Sequence, residues 1–411
     1  MKNKNIWVDL SILNLCIVAF FGFILRSKIL FSLPWINYLY LLDAHFHFAF
    51  GGWMTLALLS LFVQELLTEP FDKKPIYQWM LGGIVLSSWG SLLTPFLGNN
   101  SFLGDFFSLL FIAVTYSFGF MILRDSYAIR INKTVRLLST SAIVSLILSS
   151  AGPITLIWLQ AIKSTNATLY RDASYVYLHF QYNGFFTLAV FSLLFLKLYP
   201  KISKKSQLNF YRFSVLLCFS IFPSLFLSFL WQEPSSFFRL IAITGSILVF
   251  ASIVWFIVAA FPVLKFSKLV VPLGRNILFL SIGAFVLKMF LQSLTIFSSV
   301  GNAVFGDRPV IIGFLHLVFL GFVSPFILVY FMHKNFLNSK IKVTEYALIF
   351  FVSGIVCNET TLMLQGLGAI FLKSSYLFSW LLWGISFLLM TGAILIFIAR
   401  MKSSTSLQNL P

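Results

Sequence analysis

Apolar residues run along this chain in blocks of about twenty, end to end, separated by short polar cuts. Blocks of that length suit a helix crossing a bilayer at about 1.5 Å per residue. The cuts TEPFDKKP, RINKTV, KISKKSQ and HKNFLNSKIK mark turns. The pattern predicts twelve spans, at roughly 6–26, 36–66, 76–96, 102–124, 136–162, 174–199, 209–231, 236–263, 271–299, 309–333, 344–371 and 375–400. No soluble domain interrupts them, so residues 1–411 read as a single transmembrane domain. The run LSILNLCIVAFFGFIL resembles the core of a signal peptide. Arg26, Ser27 and Lys28 follow it in place of a small-residue cleavage site, so it is expected to remain as the first helix.

Composition sharpens this into an all-α polytopic membrane protein. Of the 411 residues, 59% are hydrophobic and 10% charged, where a soluble chain carries about a quarter charged residues. The net charge of +17 does not indicate nucleic acid, because the basic residues sit in short loops. If the N-terminus is cytoplasmic, 21 of the 29 lysines and arginines fall on the cytoplasmic side, against seven outside and Lys288 within a span. The positive-inside rule then places both termini in the cytoplasm, and the localisation expected is a bacterial inner membrane, multi-pass. Cys16, Cys218 and Cys357 lie in separate apolar blocks and read as small buried hydrophobes.

The chemistry lies in the histidines. His45 and His47 fall in span 2, His179 in span 6 and His316 in span 10, while His333 ends span 10 as a surface residue. All four intramembrane histidines sit about 8–16 Å from the outer ends of their helices. The local sequences also match. From His47 the chain reads HFAFGGW, from His179 HFQYNGF, and from His316 HLVFLGF. Each has an aromatic three residues on (Phe50, Tyr182, Phe319) and a glycine five on (Gly52, Gly184, Gly321). The spacing suggests three parallel four-helix repeats, roughly 1–133, 134–268 and 269–411, about an axis along the membrane normal.

Histidine is costly in hydrocarbon and usually faces a bundle interior. Its neutral imidazole is a common ligand for haem iron, copper or zinc. The candidate ligands are therefore His45, His47, His179 and His316, with Asp43, Tyr182 and Asn183 placed to orient a ligating ring. His45 and His47 are about 200° apart around a helix, so both cannot serve one site without distortion. The alternative is histidines that merely hydrogen-bond between packed helices.

Twelve spans in three four-helix units, with histidines in the outer half of spans 2, 6 and 10, resemble the haem–copper oxidase subunit I superfamily, which includes the nitric oxide reductases. The His-x-His of span 2, followed by aromatic and glycine residues, is most similar to the NnrS family. The resemblance implies haem b between His47 or His45 and His316, and copper at His179. It also implies a role in nitric oxide response or respiratory redox metabolism, with a diatomic gas as ligand and a redox partner subunit. The sequence departs from the oxidases in two places. Span 7 has no histidine pair, and Phe314 and Leu317 flank a single His316 in span 10. A complete oxygen reductase is therefore not expected.

Two further charges lie mid-membrane, Lys288 in span 9 and Glu359 in span 11, and are expected to form an ion pair unless the lysine snorkels. With Gln292 and Gln365 they make a candidate proton or ion path. Asp105 and Asp307 read as helix caps or interfacial residues. The rival reading is a twelve-helix secondary transporter with structural histidines, which the threefold repeat disfavours.

Overall fold

The computed structural model describes residues 6–97, 101–262, 271–297, 299–301, 308–370 and 375–408. Every regular element among them is helical. The helices are α1 (Ile6–Leu30), α2 (Tyr38–Glu65), α3 (Pro75–Leu93), α4 (Ser101–Tyr127), α5 (Lys133–Ala161) and α6 (Ala167–Lys201). They continue as α7 (Lys204–Gln232), α8 (Ser236–Ala260), α9 (Pro272–Leu294), α10 (Arg308–His333), α11 (Lys342–Ile370) and α12 (Leu377–Gln408). Among the described residues, 11 helices are long and apolar enough to cross a membrane. The remaining helix of this set, α3, has 19 residues and packs against α2 and α4. This is a multi-pass membrane protein.

Polar residues set the helix starts. The Asn37 side chain accepts from the Leu39 and Tyr40 N–H groups, Asn132 from Thr134 and Ser203 from Ser206. Asn166 does the same for Leu169, at 3.2 Å. It thereby starts α6 at Ala167, seven residues before the expected Ser174, since the polar stretch TLYRDASY is helical. Asp105 lies one turn inside α4, past its N-cap position, so the helix-cap expectation does not hold for it. Asp307, Lys265, Lys268 and Lys373 lie outside the described residues, as does the expected unit boundary at 268/269.

The packing follows a recurrent order. α1 packs on α2, α5 on α6 and α9 on α10, and α3–α4, α7–α8 and α11–α12 form hairpins. α4 meets α5, α8 meets α9, and α12 returns to α1. Arg400 on α12 closes that last contact with a 2.6 Å bond from its Nε to Asp9 Oδ1, so the start of α1 and the last turns of α12 lie on one side of the bundle. α2, α6 and α10 form the centre. Leu56–Val63, Thr187–Leu193 and Ser324–Met332 are buried residue after residue, as expected of helices with neighbours on every side.

Candidate functional site

Each central helix changes winding directly after a histidine. Phe48–Thr55, Phe180–Phe186 and Leu317–Val323 are π-helical, and the residues before them are His47, His179 and His316. Such turns are rare and recur at functional sites. Hydrophobic periodicity does not reveal them. With the helices starting at Tyr38, Ala167 and Arg308, the three histidines lie about 12–18 Å along them.

Inward of the histidines, three rings interlock. The Phe50 and Phe319 centroids are 4.5 Å apart, with Phe186 at 5.6 Å from the first and 5.8 Å from the second. Phe50 and Phe319 are the repeated aromatics, but the third ring is not Tyr182. That ring instead packs on Phe314 at 5.7 Å, with the Lys288 ammonium 5.4 Å from its centroid.

The histidines have different surroundings. His47 Nε2 is 3.2 Å from Asp43 Oδ1, one turn back, and both line a cavity of about 250 Å³ with Ser88, Ser174 and Tyr177. His45 points elsewhere, as the angular argument requires. Its Nδ1 lies 3.1 Å from the Val18 carbonyl of α1, beside Gly22. His316 Nδ1 lies 2.8 Å from the carbonyl of Ile312. In both rings the Nδ1–H donates to the backbone, leaving the Nε2 lone pair outward. Among the described residues neither Nε2 has a hydrogen-bond partner. His45 is within electrostatic range of His316, and Arg26 is within range of both.

His179 is fully buried, and both its nitrogens are engaged. Its Nε2–H donates to Ile221 O at 2.8 Å, and its Nδ1 accepts from Asn183 Nδ2 at 3.1 Å. Asn183 Oδ1 in turn accepts from Lys288 Nζ at 2.6 Å. The expected Lys288–Glu359 ion pair is therefore replaced by two separate contacts, Lys288 to Asn183 and Asn358 Nδ2 to Glu359 Oε1 at 3.0 Å. Lys288 does not snorkel, being wholly enclosed. Gln292, one turn beyond it, is also buried, and Gln365 is half-buried on α11. Cys16 and Cys218 are half-buried, but Cys357 is exposed on α11 rather than packed inside.

A haem with two axial imidazoles needs a pair of free nitrogens on facing helices, each ring held in its tautomer by a bond from the other nitrogen. His45 and His316 meet the tautomer half of that requirement, each with Nδ1 tied to a carbonyl and Nε2 without a hydrogen-bond partner among the described residues. Copper at His179 does not fit, because both nitrogens are used. Among the described residues, no three His, Cys, Asp or Glu side chains come close enough to cage an ion.

Sequence reasoning missed a charged hub at the other end of the central helices. Glu65 of α2, nearly fully buried, pairs with Lys197 of α6 and with Lys334 just past α10, whose Nζ is 2.7 Å from Glu65 Oε1. Tyr330 Oη donates to Glu65 Oε2 at 3.1 Å. The available signal was one charge near the end of each histidine span. Compared with models of known protein families and with curated proteins, the chain matches none.

Proposed function

We propose that this chain is a bacterial inner-membrane haem protein resembling the NnrS family. In this reading it has twelve spans in three four-helix units, cytoplasmic termini, and a role in nitric oxide response or respiratory redox metabolism. The observation that carries the reading is the His45–His316 pair: two rings from neighbouring central helices, each tied through Nδ1 to a carbonyl and each offering a free Nε2. The reading takes His45 rather than His47 because His45, like His316, is tied through Nδ1 to a backbone carbonyl and offers Nε2, whereas His47 is tied through Nε2 to Asp43 and would have only Nδ1 to offer. Held by His45 and His316, haem b would supply reversible one-electron transfer and an iron with affinity for a diatomic gas. The chain's own residues do the rest. The Val18 and Ile312 carbonyls fix the ring tautomers, the Arg26 cation offsets negative charge on a bound group, and Phe50, Phe186 and Phe319 keep water from passing inward. His179 is assigned to structure, joining α6 to α7 and, through Asn183, to α9.

The test is the absorption spectrum of purified protein, oxidised and dithionite-reduced, with metal analysis. A Soret band with sharp reduced α and β bands is expected, lost in His45→Ala and in His316→Ala and kept in His47→Ala. Full haem content in both of the first two variants would sink the assignment.

A further inference from the structure

A second cavity, of about 420 Å³, lies between α6, α7, α9, α10 and α11. Its wall includes Phe314, Leu315 and Leu317 but none of the four intramembrane histidines. The volume is within the range of ordinary small-molecule sites. Most of the lining is hydrocarbon, and Met363 and Leu367, which are 44% and 50% exposed, put its rim on the face that α11 turns to lipid. At the inner end sits Gln292, 6% exposed, whose Oε1 has no hydrogen-bond partner among the described residues. A buried amide without a partner costs about 1–3 kcal/mol, and in an apolar cavity the natural remedy is a ligand that supplies one. Tyr175, Tyr182 and Phe314 give the same cavity aromatic walls.

We propose that this cavity binds a membrane-soluble aromatic alcohol of the hydroquinone class, entering sideways from the lipid between α10 and α11. A phenolic hydroxyl donates to Gln292 Oε1, the buried atom left without a partner among the described residues. The ring packs among Tyr175, Tyr182 and Phe314, and an apolar tail leaves past Met363 and Leu367. A phospholipid acyl chain fits the walls but leaves Gln292 unpaired, which is why the hydroxyl-bearing ligand is favoured.

The experiment is equilibrium binding of a tritiated hydroquinone with one isoprenoid unit to the full chain in nanodiscs. Its di-O-methyl ether serves as competitor. Saturable binding is expected, weakened roughly tenfold or more in Gln292→Leu, with the ether competing poorly. Met363→Trp should block the entrance. Leu364→Trp, on the same helix and 53% exposed but outside the lining, should bind as the parent does. Because both tryptophans lie at the lipid surface, they remain informative if Gln292→Leu fails to fold. Equal competition by the ether, unchanged affinity in a folded Gln292→Leu, or indifference to Met363→Trp each overturn the proposal. It does not rest on the haem reading. A colourless protein that binds hydroquinone refutes only the haem, and a haem protein that ignores hydroquinone refutes only this site.

Discussion

Replacing Glu65 tests whether one carboxylate holds the inner ends of the three central helices together. Its two oxygens receive Lys334 at 2.7 Å, Lys197, and the Tyr330 hydroxyl at 3.1 Å. The tyrosine bond goes to a charged, enclosed acceptor and contributes about 1.5–3 kcal/mol. Each lysine is about a third exposed (35% and 34%), so solvent screening reduces each ion pair to about 0.5–1 kcal/mol. Glu65→Leu removes all three and leaves the two ammonium groups facing each other, for a loss of about 3–4 kcal/mol. Glu65→Gln keeps the volume and one acceptor oxygen, and should lose about half of that. The assay is thermal unfolding in detergent, read as the monodisperse fraction by size exclusion, with a drop of several degrees expected for Glu65→Leu. A cycle with Lys197→Met isolates the pair, with a coupling of about 0.5–1 kcal/mol. A Glu65→Leu protein that unfolds at or above the parent temperature would refute the reasoning, because the cluster would then have cost more in desolvation than it returns.

The His179 chain makes a paired prediction. Asn183→Leu, which strips partners from both His179 and Lys288, should destabilise by about 3 kcal/mol, whereas Lys288→Met removes an enclosed cation along with its bond and should change the unfolding temperature little. Equal losses in the two variants would show that the lysine, not the asparagine, carries the contact. Gly184→Leu should abolish folded protein, since a Cβ there would lie 2.3 Å from Ser145 Cβ, whereas Gly283→Ala, with open space around it, should be silent in the same chromatographic assay. For topology, a single cysteine at exposed Lys204 should be labelled only from the cytoplasmic side and one at Thr165 only from outside, in a background with Cys16, Cys218 and Cys357 replaced. Labelling of both from one side would break the orientation that the charge bias predicts.

Hydropathy was enough to show an all-helical, multi-pass chain, 11 of whose described helices are long and apolar enough to cross a membrane, because the bilayer imposes length and apolarity on each one separately. Its errors came where a polar sequence is helical for local reasons, as at Asn166 and the following TLYRDASY. The histidines and Asn183 were legible because polar groups in hydrocarbon stand out. Pairings between helices were not. Lys288 and Glu359 have similar depth and opposite charge, yet depth says nothing of azimuth, and Lys288 faces Asn183 on α6. The Glu65 hub was missed because each of its charges, taken alone, looks like an ordinary residue at a membrane surface.

The repeated glycine takes its meaning from the winding. In an α-helix, residues five apart lie about 140° from one another around the axis. A π-turn bonds residues five apart and so brings the fifth nearly above the first, putting histidine and glycine on related faces of each central helix. At those glycines the preceding helix comes close: Asn14 of α1 donates to Gly52 O at 2.7 Å, Ser145 of α5 crowds Gly184, and Ala284 of α9 lies against Gly321. The motif is thus first a packing device used three times. What its histidine then does has diverged. His47 is held by Asp43, His179 spends both nitrogens on its neighbours, and His316 alone keeps Nε2 free. On the haem reading proposed above, the partner of His316 would be His45, two residues before the first copy of the motif and turned toward α1, because it shares with His316 an Nδ1 tied to a backbone carbonyl.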